Sequence, residues 1–188
     1  MGFFTAITIP AETAAALERL HADLHGGRWI DPESYHITLN YIGELDGSAA
    51  GRLIEALDGL RFAPFEISLR GLGIFGGGRP RAVWAGAEPC PELMAMQARQ
   101  ARLIAGAGFK LESRKYTPHV TLARFREGRR NDLKRFVERR NVYHAPPFTC
   151  DGYVLLSSRP NGGGGPYGTE AVFSGQAGFL PDMGEETF

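Results

Sequence analysis

The sequence predicts a mixed fold of strands and helices built from a duplicated unit. Two observations carry this reading. Residues 3–72 read strand, helix, strand, helix, strand, and residues 81–156 read the same order. The two stretches also match in register. His36 and His119 lie 83 residues apart, as do Phe65 and Phe148. Two units make a duplication and not a solenoid. Similar units pack about a pseudo-two-fold axis, which brings equivalent residues to face each other across a central groove.

Each element has its own local reason. Residues 3–9 are apolar with β-branched members and read as a strand. Pro10 suits the start of a helix over residues 11–25, which stops at Gly26-Gly27 and carries Leu17, Leu20 and Leu24 at helical spacing. Residues 35–42 read as a strand ended by Gly43. Ser48 is a candidate cap for a helix reaching about residue 60, opposite Asn131 in the second unit. Residues 64–72 alternate, with Phe65, Ile67 and Leu69 on one face. Residues 71–80 are glycine-rich and read as a turn region. Residues 81–87 form a strand, and residues 89–104 a helix closed by Gly106 and Gly108. A strand over 116–124, a basic helix over 132–140 and a strand over 147–156 complete the second unit. A loop over 161–166 and a strand over 167–173 end the pattern.

Composition bounds the function. The chain has 188 residues, 43% of them hydrophobic and 22% charged, enough for a packed core. No apolar run approaches the roughly 20 residues of a membrane span, and the start lacks the basic and apolar regions of a secretory signal, so neither a membrane partner nor export is expected. Two cysteines, Cys90 and Cys150, exclude a disulfide framework and suit a reducing cytoplasm. Basic and acidic residues balance at 21 each, which excludes a globally basic coat. The balance is uneven along the chain. Residues 1–60 hold three basic and nine acidic residues, and residues 124–140 hold eight and three. The second stretch can draw in phosphate, or serve as a solvated helix face.

The matched positions read His36-Ile37-Thr38-Leu39 and His119-Val120-Thr121-Leu122. On a strand, residues i and i+2 share a face, so each motif presents an imidazole and a hydroxyl together. A single His-x-Thr is most often structural, but a core histidine has no reason to recur at the equivalent place of a duplication. No carboxylate or thiolate stands at ligand spacing beside the pair, so neither a metal nor another cofactor is expected. There is no Gly-x-Ser-x-Gly elbow and no suggestive cysteine. Two imidazoles suit displacement at phosphorus, one taking a proton from the attacking oxygen and one giving a proton to the leaving oxygen. The threonine hydroxyls can donate to the non-bridging oxygens.

At these residues the sequence resembles the two-histidine phosphoesterase superfamily, and within it the RNA 2′,3′-cyclic phosphodiesterases, also known as bacterial and archaeal 2′–5′ RNA ligases. The opening residues 3–10, the stretch 36–44 (with Tyr41 where phenylalanine is more usual), the stretch 116–124 and the segments Ser158-Arg159-Pro160 and Pro166-Tyr167 carry the resemblance. The run Gly162 to Gly165 lengthens the closing loop. The resemblance implies a bilobal α+β fold with antiparallel sheets about a pseudo-two-fold central cleft, the whole chain forming one domain. It implies metal-independent hydrolysis of RNA 2′,3′-cyclic phosphate ends to 2′-phosphates, with reversible 2′–5′ ligation as a companion reaction. It makes His36 the proton donor and His119 the proton acceptor, with Thr38, Thr121 and Arg124 on the phosphate and Phe4 near the ligand, a position a core strand residue also fits. Tyr167 reads either as a ring on which a base stacks or as a half-buried strand tyrosine. The implied partner is RNA with cyclic phosphate ends, such as tRNA fragments, bound by a monomer. Arg124 lies an odd number of positions from His119, so it reaches the same face only if the strand ends or twists after Ala123. A cyclic phosphodiesterase acting on a small nucleotide-derived molecule and an RNA-end binding or joining module are the alternatives. His21 and His25 are expected on a helix surface and His144 in a loop.

Overall fold

A computed structural model describes residues 2–23, 27–77, 79–113, 115–125, 130–140, 142–158 and 167–175. The expected loop at 161–166, His25 and the basic residues Arg126 and Arg129 lie outside them. The fold is α+β, with an antiparallel sheet and four helices, as the sequence predicts.

The first unit contains strand β1 (Gly2–Thr8), helix α1 (Ala11–Glu18), the short β2 (Arg28–Trp29), β3 (His36–Glu44), α2 (Gly47–Asp58) and β4 (Phe65–Phe75). The second contains β5 (Ala82–Ala87), α3 (Pro91–Gly106), β6 (His119–Arg124), α4 (Arg130–Glu138), β7 (His144–Cys150) and β8 (Gly152–Ser158). β9 (Tyr167–Ser174) follows. Several boundaries differ from expectation. α1 ends early and continues as a 3-10 turn over Arg19–Asp23. Asp46, not Ser48, caps α2: its carboxylate accepts from the Ala49 N–H at 2.8 Å, and Ser48 donates to the same group. The expected strand at 147–156 is two strands broken at Asp151. β4 runs on to Phe75 through the stretch expected to turn. His144 opens β7.

Eight strands lie in the order β7-β4-β5-β6-β3-β1-β8-β9, with β2 beside β6. The middle of this order is nearly symmetric. β3 and β6 meet at the centre through one antiparallel pair, Ile37 opposite Val120. β1 flanks β3 and β5 flanks β6. Beyond them the units interleave: β4, which ends the first unit, pairs with β5, and β8, which ends the second, returns to pair with β1.

The helices cover one face of the sheet. α2 buries Ala49, Leu53 and Leu57, α3 buries Leu93, Met96, Gln100 and Ile104, and α4 buries Leu133 and Phe136. Alternation along β1 divides the sheet's two faces. Phe3 and Ile7 join the large core, and Phe4 and Ala6 pack with Val154, Leu156 and Tyr167 on the other face. That second face carries the paired motifs.

Candidate active site

The site follows from one register pair. With Ile37 across from Val120 on antiparallel strands, His36 stands opposite Thr121 and Thr38 opposite His119. Ile37 and Val120 are both fully buried toward the helices, so all four motif side chains project from the opposite face. The two histidines are then diagonal neighbours across the β3–β6 pair.

Both imidazoles are fixed in the same way. His36 Nδ1 lies 2.8 Å from the Ser34 carbonyl, and His119 Nδ1 lies 2.7 Å from the Thr117 carbonyl. A carbonyl only accepts, so each Nδ1 carries the proton and donates. In each neutral ring Nε2 therefore holds the lone pair, and proton exchange is directed to that atom. Each ring is also braced by aromatics of its own half. Phe4 and Tyr167 stand 5.2 and 5.1 Å from His36, and Phe75 and Trp84 stand 4.7 and 5.9 Å from His119. The Trp84 indole covers Gly73, where a Cβ would collide with it, which accounts for a glycine inside β4 at that point.

Both central strands carry a bulge at the same place in the repeat. On β3 the pairing to β1 shifts between Asn40 and Thr38, and on β6 the pairing to β5 shifts between Ala123 and Thr121. One extra residue, Leu39 or Leu122, is thereby accommodated. Two consecutive residues are buried as a result, Leu39 with Asn40 and Leu122 with Ala123. The inward–outward parity flips after each bulge. Arg124 thus returns to the motif face despite its odd spacing from His119. Its counterpart in the other half, 83 positions earlier, is Tyr41. Both are exposed and both line a cleft of about 540 Å³ together with Thr38, His119 and Thr121.

A buried polar network holds the β3 bulge. The Thr5 hydroxyl donates to Gln100 Oε1 at 2.7 Å and accepts from the Asn40 N–H at 3.1 Å. Asn40 Nδ2 donates to the same Gln100 oxygen at 3.2 Å, and Gln97 Nε2 donates to Asn40 Oδ1 at 3.0 Å. β1, β3 and α3 are locked together directly behind Thr38.

The electrostatics of the two histidines are linked. Burial pushes the His36 pKa below its ordinary value of 6.5, because the cation loses hydration. The bond to Ser34 opposes this, and His119 and Arg124 add to the depression by repelling a second positive charge.

Of the residues expected at the site, His36, Thr38, His119, Thr121 and Arg124 share this face. Phe4 is 5% exposed and turns its ring to His36 and Tyr167. Tyr167 is partly buried at the start of β9. Sequence reasoning missed Tyr41, Asn40, Phe75, Trp84, Arg81 and Lys115. Only Tyr41 had a legible signal, the repeat offset from Arg124. His21, expected on the surface, instead stacks on Trp29 with ring centroids 4.0 Å apart and hydrogen-bonds the Tyr35 hydroxyl at 2.8 Å. Among the described residues no group of three or more His, Cys, Asp or Glu side chains gathers to hold a metal. None of their helices is long and apolar enough to cross a membrane.

A family model described as LigT like Phosphoesterase matches residues 7–84 and 86–167. An RNA 2′,3′-cyclic phosphodiesterase of Aquifex aeolicus is 32% identical over 164 residues, which cover 84% of this chain and 86% of that protein. Proteins of the same name from Aeropyrum pernix and Geobacillus stearothermophilus are 41% and 31% identical over 102 and 133 residues. Those matches cover 53% and 67% of this chain, and 58% and 42% of the two relatives, so the chain spans about half of their lengths. Among solved structures, TT0787 of Thermus thermophilus has a TM-score of 0.75 at 22% identity, covering 93% of this chain and 97% of its own. Escherichia coli LigT in its apo form has a TM-score of 0.74 at 21% identity, with 93% and 96% covered. These two establish likeness of fold.

Proposed function

The chain belongs to the LigT-like phosphoesterase family, and from that premise we propose that it hydrolyses 2′,3′-cyclic phosphate ends of RNA to 2′-phosphates by paired-histidine acid–base catalysis. The name shared by the Aquifex, Aeropyrum and Geobacillus relatives supports the substrate class. The observation that carries the mechanism is the diagonal placement of two imidazoles, each with its Nδ1–H held by a carbonyl two residues earlier. In-line displacement needs a base on one side of the phosphorus and an acid on the other, and this diagonal supplies both.

A water oxygen attacks phosphorus, and its proton passes to His119 Nε2. The bond from phosphorus to O3′ breaks, and His36 Nε2–H gives its proton to that oxygen. The products are a 3′-hydroxyl and a 2′-phosphomonoester. Thr38 and Thr121 donate to the non-bridging oxygens, and Arg124 balances their charge. Tyr167 offers ring surface for stacking a base, while Phe4 steadies His36. When a 5′-hydroxyl of RNA takes the place of water, the same proton transfers join two ends through a 2′–5′ linkage.

His36 presents one tension. Its depressed pKa favours the neutral ring in the empty site, yet a proton donor must be charged. A bound phosphodiester anion resolves this by stabilising the imidazolium, so substrate loads its own acid. The test is turnover of a short RNA with a 2′,3′-cyclic phosphate end. His36→Ala and His119→Ala are each expected to lower the rate by about 10²–10⁴ while leaving the folded signature in circular dichroism. A variant that keeps near-normal turnover would remove its histidine from the mechanism.

A further inference from the structure

Three cationic side chains line the cleft among the described residues: Arg124, Arg81 and Lys115. A cyclic phosphodiester carries one negative charge, which Arg124 and the two threonines suffice to hold. Arg81 and Lys115 are left without an assigned task. Both are exposed, and the ion pairs among the described residues, Arg70–Glu88 and Lys134–Glu138, involve neither.

Arg81 is placed by the backbone. Its N–H donates to the Phe75 carbonyl at 2.8 Å, and its carbonyl accepts from the Phe125 N–H at 2.8 Å. Gly76, at φ +113°, makes the intervening turn possible, since a Cβ there would collide with the Arg79 carbonyl and the Arg81 nitrogen. Ala82, the next residue, pairs with Arg124. The Arg81 backbone is therefore held one residue from the Ala82–Arg124 pair, and Arg81 lines the same cleft as Arg124. Lys115 stands in the segment that leads into His119 and lines the same cleft as Arg81, as does the carboxylate of Glu112.

We infer that Arg81 and Lys115 form a second phosphate subsite, one nucleotide upstream of the reacting phosphate. This rests on the function proposed above. The ligand is a phosphate on the 5′-oxygen of the terminal nucleoside. It belongs either to the next internucleotide linkage of an RNA or to a single nucleotide with a free 5′-phosphate. The enzyme accordingly prefers a cyclic end that carries such a phosphate over a bare nucleoside 2′,3′-cyclic phosphate. It finds this group with Arg81 and Lys115, and not with the basic stretch 124–140 as a whole: Lys134 and Arg135, exposed on α4, are absent from the described cleft lining.

Three substrates separate the possibilities: adenosine 2′,3′-cyclic phosphate, the same compound with a 5′-phosphate, and diadenylate ending in a cyclic phosphate. Wild-type protein is expected to show kcat/KM about 3- to 30-fold higher for both phosphate-bearing substrates, the range for two exposed ion pairs. In the Arg81→Gln/Lys115→Gln double variant these ratios fall toward one, and the salt dependence of diadenylate binding becomes shallower. Ratios that survive in the double variant would overturn the subsite. So would an advantage confined to diadenylate and insensitive to the two substitutions, which would assign the gain to the second base. Calorimetric titration with adenosine 2′-phosphate and with diadenylate 2′-phosphate reads the same ratio without turnover. Absence of hydrolysis of every substrate would defeat the proposed function, whereas equal affinity for the two products would defeat the subsite alone.

Discussion

At the scale of single residues, the proposed mechanism turns on His36. Its cation is disfavoured by burial first, and further by His119 and Arg124. NMR titration of the His36 ring in the free protein is therefore expected to give a midpoint below 6.5. Saturating inorganic phosphate or a nucleoside 2′-phosphate is expected to move it upward, because an anion between the rings favours charge on both. A midpoint at or above 6.5 in the free protein, or one indifferent to phosphate, would remove the argument that substrate loads the acid. The threonines carry less. Thr38→Ala and Thr121→Ala each delete one neutral donor, so their turnover is expected to fall less than that of either histidine variant. A threonine variant as impaired as His119→Ala would show that the hydroxyl does more than hold a non-bridging oxygen.

At the scale of elements, the site depends on two bulges that the strand pattern alone conceals. His36, Thr38, His119 and Thr121 were legible because the offset of 83 residues sets two identical short motifs in register, and period-two alternation puts each pair on one face. Tyr41 and the true direction of Arg124 were not legible with that rule. Their parity depends on where Leu39 and Leu122 interrupt the ladder, and this follows from pairing with β1 and β5. The glycines of β4 misled for a similar reason. Gly73 reads as a turn residue in isolation, but it sits inside the β4–β5 ladder opposite Trp84, whose indole fills the space a side chain would need. Asn40 connects bulge to helix. Asn40→Ala takes one partner from the half-buried Gln97 amide and one from the buried Gln100 oxygen, at a cost of about 1–3 kcal/mol. The expected outcome is a lower unfolding midpoint together with a lower kcat, since Thr38 is two residues away on the same strand. Wild-type stability would show the network to be dispensable. Wild-type kcat with reduced stability would show that the bulge does not set the position of Thr38.

At the scale of the whole molecule, the duplication is legible in the sequence but its interleaving is not. The order of elements in residues 3–72 and 81–156 suggests two consecutive halves. In the structure β4 crosses to β5 and β8 returns to β1, so each half of the sheet contains strands from both stretches. Local periodicity cannot reveal such an exchange, because β4 and β8 bury the same faces wherever they pair. The exchange has a thermodynamic consequence. Neither stretch completes its own half of the sheet, so we expect one cooperative unfolding transition by calorimetry with matching calorimetric and van't Hoff enthalpies. Two resolved transitions would mean that the halves are independent.

The two motifs meet side by side at the single β3–β6 pair, and in the proposed mechanism they divide acid and base work at one phosphorus without a metal. The direct measurement is phosphorus NMR of the product formed from an RNA ending in a 2′,3′-cyclic phosphate, with protein and buffer treated with EDTA. The account predicts undiminished turnover and a 2′-phosphate beside a free 3′-hydroxyl, because the bond to O3′ is the one that breaks. A 3′-phosphate product, or activity lost on chelation and restored by a divalent ion, would contradict it.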